Sequence, residues 1–296
     1  MIPSKCKLLS RGAFVPLCEN PSCQLPALLP KAAAAARIVP MALITHPGTG
    51  FAVGDPERLL LDPDALPSSA EMAAAAKPLI LSASGWRKVF AASGDEEALA
   101  EDVSPADLVV AGAMAEVFAD FLLGRTPGPA VALGIDSRPT GPRLADAMLR
   151  VFLARGLAVR YAFIVAAPEL MAWTREAALP GAGDEGRLDG FCYVSASHNP
   201  PGHNGVKFGL GSGGVLDGAS VAPLADALRA SLADPATPAR VAALMAAPDP
   251  EELGRAMASC AAWKRRARSA YLLFSRRIAS DREALEDQER VLDALA

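Results

Sequence analysis

The chain has 296 residues, a net charge of −4, and 51% hydrophobic against only 5% aromatic residues. That length buries a sizeable core in one large or two small domains, the alanine-rich composition favours helices, and the weakly acidic balance leaves no electrostatic footprint for a nucleic acid. The apolar run Ala32–Ala36 is broken by Arg37 and Pro40, so neither a signal peptide nor a membrane span is expected. Cys6, Cys18, Cys23, Cys192 and Cys260 show no C-x-x-C spacing, which favours free thiols in a reducing cytoplasm over a zinc site. Positive charge concentrates early: Lys5, Lys7, Arg11, Lys31 and Arg37 stand against Glu19 alone in residues 1–40.

Residues 1–76 lack periodicity and read as a poorly ordered N-terminal extension, with loop and one short helix among the prolines of 47–70. Order is expected from residue 77. Residues 79–82 read as a short strand that runs into the turn Ala83-Ser84-Gly85-Trp86-Arg87-Lys88. A helix over 105–123 has Pro105 in its first turn, Asp102 or Ser104 as cap and Gly124 as terminator. A buried strand over 131–135 ends in Asp136-Ser-Arg138-Pro-Thr140-Gly141, where Asp136 and Arg138 suit either an ion pair beside a helix N-cap or direct catalysis. A helix at 142–155, a strand at 157–165, a helix from 166, a loop over 181–190 and a strand at 190–195 follow. This alternation predicts an α/β fold: a three-layer α/β/α domain over 77–235 with a mostly parallel sheet.

Residues 205–210 and 214–216 read as a hairpin. Gly209, Gly211 and Gly214 satisfy G-x-G-x-x-G, but no helix opens on the last glycine, so a dinucleotide fingerprint is rejected. A helix within 217–232 closes the domain. Residues 236–296 read as linker followed by a C-terminal helical segment. Its stripe, Leu253, Met257, Cys260, Trp263, Ala267, Tyr271, Phe274 and Ile278, needs a partner: the domain itself, a second copy, or none.

The chemistry concentrates in Tyr193-Val-Ser-Ala-Ser-His-Asn-Pro-Pro-Gly-His-Asn-Gly-Val-Lys-Phe208. An apolar strand leads in, and Pro200 and Pro201 force the chain out of any ladder. A hydroxyl, an imidazole, amides and an ammonium are thereby held on a tight loop at a strand's C-terminal end, where ligands of open α/β sheets bind.

Ser195-Ala-Ser197-His198-Asn199-Pro200, followed by Asn204-Gly205-Val206-Lys207, resembles the phosphoserine loop of the phosphohexomutases, the phosphoglucomutase and phosphomannomutase superfamily. Only the first position departs from their Thr-Ala-Ser-His-Asn-Pro, and it keeps a hydroxyl. Ser84, Gly85 and Arg87 resemble the family's first motif, with Ala83 in place of threonine, and Asp136, Arg138 and Gly141 match a third. The resemblance covers about residues 79–235. It implies an intramolecular phosphotransferase of hexose phosphate metabolism in which Ser197 carries a phosphoryl group, exchanged with a hexose phosphate or hexose bisphosphate. It implies catalytic roles for Ser197, His198, Lys207 and Arg87, phosphate-binding roles for Ser84, Ser195, Asn199, Asn204, Asp136 and Arg138, and Mg²⁺ held through phosphorylated Ser197. Lys207 and Arg87 supply the positive charge that phosphoryl transfer requires.

The family's Asp-Gly-Asp-x-Asp-Arg metal loop, its Gly-Glu-x-Ser-Gly sugar loop and the phosphate clamp of its last domain do not occur in this sequence. Two readings follow. The chain is a phosphoserine-bearing first domain, incomplete as an enzyme by itself, or it is a non-enzymatic descendant that binds phosphosugars or assembles through its C-terminal helix. The expected setting is the cytoplasm, without nucleic acid or membrane as partner.

Overall fold

The computed structural model describes residues 43–179, 186–279 and 290. Most of the expected N-terminal extension, with Cys6, Cys18 and Cys23, and residues 180–185 of the expected surface loop lie outside the described residues. The chain order is β1 (Ile44–Thr45), β2 (Ala52–Gly54), α1 (Ser69–Ala76), β3 (Ile80–Ser82), β4 (Gly85–Val89), α2 (Pro105–Leu123), β5 (Ala130–Ile135), α3 (Gly141–Ala154), β6 (Ala158–Ile164), α4 (Ala167–Ala177), β7 (Gly190–Val194), β8 (His203–Leu210), α5 (Gly218–Ala233), α6 (Thr237–Ala246), α7 (Pro250–Ala258) and α8 (Cys260–Ile278). Among the described residues, no helix is long and apolar enough to cross a membrane.

The main sheet is ordered β3-β4-β8-β7-β5-β6. It is mixed rather than mostly parallel. Only β5 runs parallel to its neighbours β6 and β7, while β7–β8, β8–β4 and β4–β3 are antiparallel. Connection length explains the difference. Parallel neighbours need a crossover of a dozen or more residues. Only Ala83 and Ser84 separate β3 from β4, and β7 reaches β8 through the helix-free loop 195–202. The hairpin expected around Gly211 reduces to a single bridge between Gly209 and Val215.

Helices cover both faces, which makes the domain an α/β/α sandwich. On one face Trp86, Val131, Leu133, Cys192, Val194, Val206 and Phe208 meet Phe118 and Leu122 of α2 and Phe152 of α3. Ser104 caps α2 through Asp107 N, with Pro105 at its first position. This helix lies in the middle of the molecule, so apolar residues surround it rather than lining one stripe. On the other face Ala132, Ala162, Phe191 and Tyr193 meet Leu170 and Trp173 of α4 and Ala267 and Ala270 of α8.

Two expectations are corrected. Residues 43–76 were expected to be poorly ordered, yet they form β1, β2 and α1, and Val53, Leu60, Leu61 and Met72 join the main core. A capping box between Ser68 and Glu71 starts α1. The expected linker after 235 contains α6, because Pro238 occupies the first turn of a helix instead of breaking one. The first half of the C-terminal stripe finds its partner within the chain, while Ile278 at its end stays exposed. Trp263 stacks on Trp173 with centroids 5.7 Å apart, Cys260 and Ala267 are buried, and Lys264 pairs with Glu169 of α4.

Strand β4 alternates sharply. Trp86 and Lys88 point into the core, whereas Gly85, Arg87 and Val89 face the other way. Lys88 is tolerated inside because its Nζ donates to Ala75 O at 2.9 Å and pairs with Asp107, itself buried in the first turn of α2. Removing one partner of a buried pair strands the other charge, so Lys88→Ala is expected to lower unfolding free energy by about 3–5 kcal/mol in a urea titration. The double variant Lys88→Met/Asp107→Leu should recover most of that loss.

Candidate functional site

The loop 195–202 leaves β7 where Ser195 N donates to Gly205 O of β8 at 2.8 Å. Ser195 is buried, and its Oγ accepts from Ser197 N at 3.1 Å. Ser197 then adopts φ +61, in the left-handed region that a side chain enters at a cost of roughly 1–2 kcal/mol. Ser197 and His198 are exposed at the tip. The far end is pinned at Gly202, whose O accepts from Phe90 N at 3.0 Å and Ala91 N at 3.1 Å and whose N donates to Glu96 O at 2.7 Å. A Cβ at Gly202 would lie 2.2 Å from Asp95 O, so only glycine permits this approach.

Arg87 and Lys207 come from adjacent antiparallel strands. Arg87 is opposite Gly205 in the register of β4 and β8. Residues 205 and 207 share a face, so Arg87 and Lys207 are diagonal neighbours on the side of the sheet opposite α2. Lys207 lies against the β3–β4 turn at Gly85, where a Cβ would meet its Cγ at 3.2 Å. Its cross-strand neighbour in β7 is Tyr193, whose hydroxyl donates to Val165 O at 3.1 Å. Burial pushes the Tyr193 phenol up to about 12, so it offers Lys207 no counter-charge at neutral pH. Among the described residues, the side chains of Arg87, Lys207 and His198 have no hydrogen-bond or ion-pair partner.

The result is one cleft of about 210 Å³ lined by Ser84, Gly85, Trp86, Arg87, Ser195, Ala196, Ser197, His198, Asn199 and Lys207. Seven of the ten residues expected at the site meet there: Ser84, Arg87, Ser195, Ser197, His198, Asn199 and Lys207. Its chemistry is two cations and several hydroxyl and amide groups around an exposed serine. No carboxylate lines it, and among the described residues no group of three or more His, Cys, Asp or Glu side chains could hold a metal ion. This donor set does not fit Mg²⁺, a hard cation that takes several oxygen ligands.

The other three lie behind the loop. Asn204 is fully buried; its Nδ2 donates to Thr140 Oγ1 at 3.0 Å and its Oδ1 accepts from Gly205 N at 2.9 Å. Asp136 and Arg138 line a separate cavity of about 350 Å³ with Arg58, Arg143 and Phe163. Asp136 holds Arg138 through Nε at 3.1 Å, and the guanidinium is committed to carbonyls of the serine loop. Asp136, Arg138 and Asn204 thus support the loop from beneath and do not line the cleft, and Thr140 belongs to the same support. Its place in Asp136-x-Arg138-x-Thr140 reads as a helix N-cap, yet its side chain makes no cap bond and instead accepts from Asn204.

Gly205 makes the strand pairing next to the cleft possible: a Cβ there would lie 2.4 Å from Trp86 O and 2.9 Å from Arg87 Cβ. Gly205→Ala is expected to lower stability by about 1–3 kcal/mol in chemical denaturation, as overpacking does, while Gly128→Ala, in open space but at φ +57, tests strain without crowding.

The alpha/beta/alpha domain I of phosphoglucomutase/phosphomannomutase matches residues 82–231, just over half of the chain. A phosphoglucosamine mutase from Herminiimonas arsenicoxydans is 36% identical over 106 residues, covering 35% of this chain and 22% of that protein. A phosphoglucomutase/phosphomannomutase family protein from Burkholderia thailandensis aligns at 26% identity and TM-score 0.40 over 51% of this chain and 30% of its own. The open form of the Paramecium phosphoglucomutase pp63/parafusin aligns at 20% identity and TM-score 0.37 over 52% of this chain and 25% of its own. The chain thus spans less than a third of the length of each of these proteins. With the domain match spanning the cleft and all its lining residues, the chain belongs to the phosphoglucomutase/phosphomannomutase family.

Proposed function

We propose that Ser197 is the phosphoryl acceptor of a hexose phosphate or hexose bisphosphate, in a phosphohexomutase-type intramolecular transfer. The observation that carries this reading is an exposed serine, held at φ +61, in a cleft with two cationic side chains that have no partner among the described residues. In the forward step a P–O bond of the bisphosphate breaks as a bond from phosphorus to Ser197 Oγ forms. The serine proton passes to the released sugar oxygen. Arg87 and Lys207 neutralise the charge spread over the equatorial oxygens, the main demand of phosphoryl transfer. His198 and Asn199 orient the group by hydrogen bonding, and Ser84 and Ser195 line the wall.

Among the described residues no set of side chains offers a cage for magnesium; the ion implied by the family would take phosphoryl oxygens of Ser197 as its ligand here, and no step above depends on it. The family's Gly-Glu-x-Ser-Gly sugar loop does not occur in this sequence, so complete isomerisation by this chain alone is not expected. The assembly reading keeps only the end of α8: Trp263, Ala267 and Ala270 pack on α4 and β6, while Ile278 stays exposed. A non-catalytic phosphosugar-binding role remains the competing reading, and the cytoplasm remains the expected setting.

Incubation with a glucose bisphosphate should add one phosphate, mapped to Ser197 by peptide mass spectrometry and lost in Ser197→Ala. Arg87→Ala and Lys207→Ala should each slow this uptake about 10²–10³-fold, the usual cost of removing one preorganised donor. Absence of any adduct, with tight bisphosphate binding retained in Ser197→Ala, would favour the binding role. A coupled isomerisation assay should show no turnover; turnover abolished by Ser197→Ala would show that the chain completes the reaction.

A further inference from the structure

We infer that Arg138 is the positioning residue of the serine loop: clamped by Asp136, its guanidinium gathers loop carbonyls and so holds Ser197 in the conformation that presents its hydroxyl to the cleft. The geometry is dense. One terminal nitrogen donates to Ser197 O at 2.9 Å and Asn199 O at 2.6 Å, and the other donates to His203 O at 3.1 Å and to Pro200 O. Nε donates to Asp136 Oδ2 at 3.1 Å, and the backbone N of Arg138 donates to Asp136 Oδ1 at the same distance. The Arg138 side chain is only 10% exposed.

Carbonyl oxygens that converge on one point repel each other and, once buried, must be hydrogen-bonded. A planar fork with five donors can satisfy them together, whereas an ammonium presents three donors from a single point. With Arg138 in place the strain at Ser197 is over-determined by its surroundings, which is how such outliers persist at functional sites. Among the described residues the His198 N–H makes no hydrogen bond. Arg138 itself lines the other cavity and not this one, so its influence on Ser197 passes through the backbone.

The inference rests on the proposed acceptor role of Ser197, and its test separates the two. The full chain and its R138M, R138K and R138A variants are titrated with a glucose bisphosphate, and Ser197 phosphorylation is followed by mass spectrometry. R138M should lower the maximal uptake rate about 10²-fold, the scale of a 1 Å misplacement, with the half-saturating concentration unchanged because Arg87 and Lys207 remain. R138K should not restore the rate, and free guanidinium added to R138A should restore part of it. Wild-type rate in R138M, or a raised half-saturating concentration at unchanged maximal rate, would overturn the inference. Hydrogen exchange is measured in parallel on amides 196–203: faster exchange in R138K at unchanged Tm is expected, and wild-type exchange would overturn the positioning role. If the wild-type chain takes up no phosphate, the acceptor role falls, and the exchange measurement still decides whether Arg138 orders the loop.

Discussion

Four carbonyl oxygens from Ser197, Asn199, Pro200 and His203 turn inward onto one guanidinium, and the form of the candidate site follows from that convergence. Without a multi-donor cation at their centre these dipoles would repel, and the loop would relax toward conformations that do not require φ +61 at Ser197. The anchor is itself anchored. Asp136 extends directly from β5, bonded through its N to Val194 O, so the loop is referenced to the parallel pair β5 and β7. At its far end Gly202 is tied to the segment after β4. A short loop with no regular structure is thus fixed at both ends, through Asp136 and Arg138 to β5 and β7 and through Gly202 to the segment after β4.

The mixed sheet decides where the positive charge stands. If all strands had been parallel, a helix would have crossed over each of them. The antiparallel strands β8, β4 and β3 carry no crossover on the face that α4 and α8 cover over β6, β5 and β7. Arg87 and Lys207 project from that face beside the loop, while their neighbours Trp86, Lys88, Val206 and Phe208 point into the core and hold the strands against α2. Strand alternation alone separates the structural lysine, Lys88, from the one that faces the cleft, Lys207.

Much of the site was legible because its residues are close together in sequence. Ser195, Ser197, His198, Asn199 and Lys207 fall within one loop and the strand after it, and Arg87 sits beside a glycine turn. The helix α2 was readable from its cap, the proline at its first turn and the glycine after its end. The functions of Asp136, Arg138 and Asn204 were not, because a short motif shows that a charge follows a strand but not whether it points into the cleft or under the loop. That depends on partners some 60 residues away, such as Ser197 for Arg138 and Thr140 for Asn204. The sheet direction was misjudged for a related reason: helix and strand alternation was visible, but the two helix-free connections that reverse the chain outweigh it. Residues 43–76 looked disordered because prolines and glycines recur from Pro47 to Pro67, yet a few apolar side chains, Val53, Leu60, Leu61 and Met72, suffice to seat them on an existing core.

The central claim is that Arg138 shapes the loop and that Ser197, Arg87 and Lys207 then form one anion site. The most direct measurement is a crystal structure of the chain soaked with tungstate, a heavy mimic of the phosphoryl group. The account predicts anomalous density between the Ser197 hydroxyl, Arg87 and Lys207, with the Arg138 guanidinium still beneath the loop. Tungstate bound elsewhere with this cleft empty, or held directly by Arg138, would contradict it.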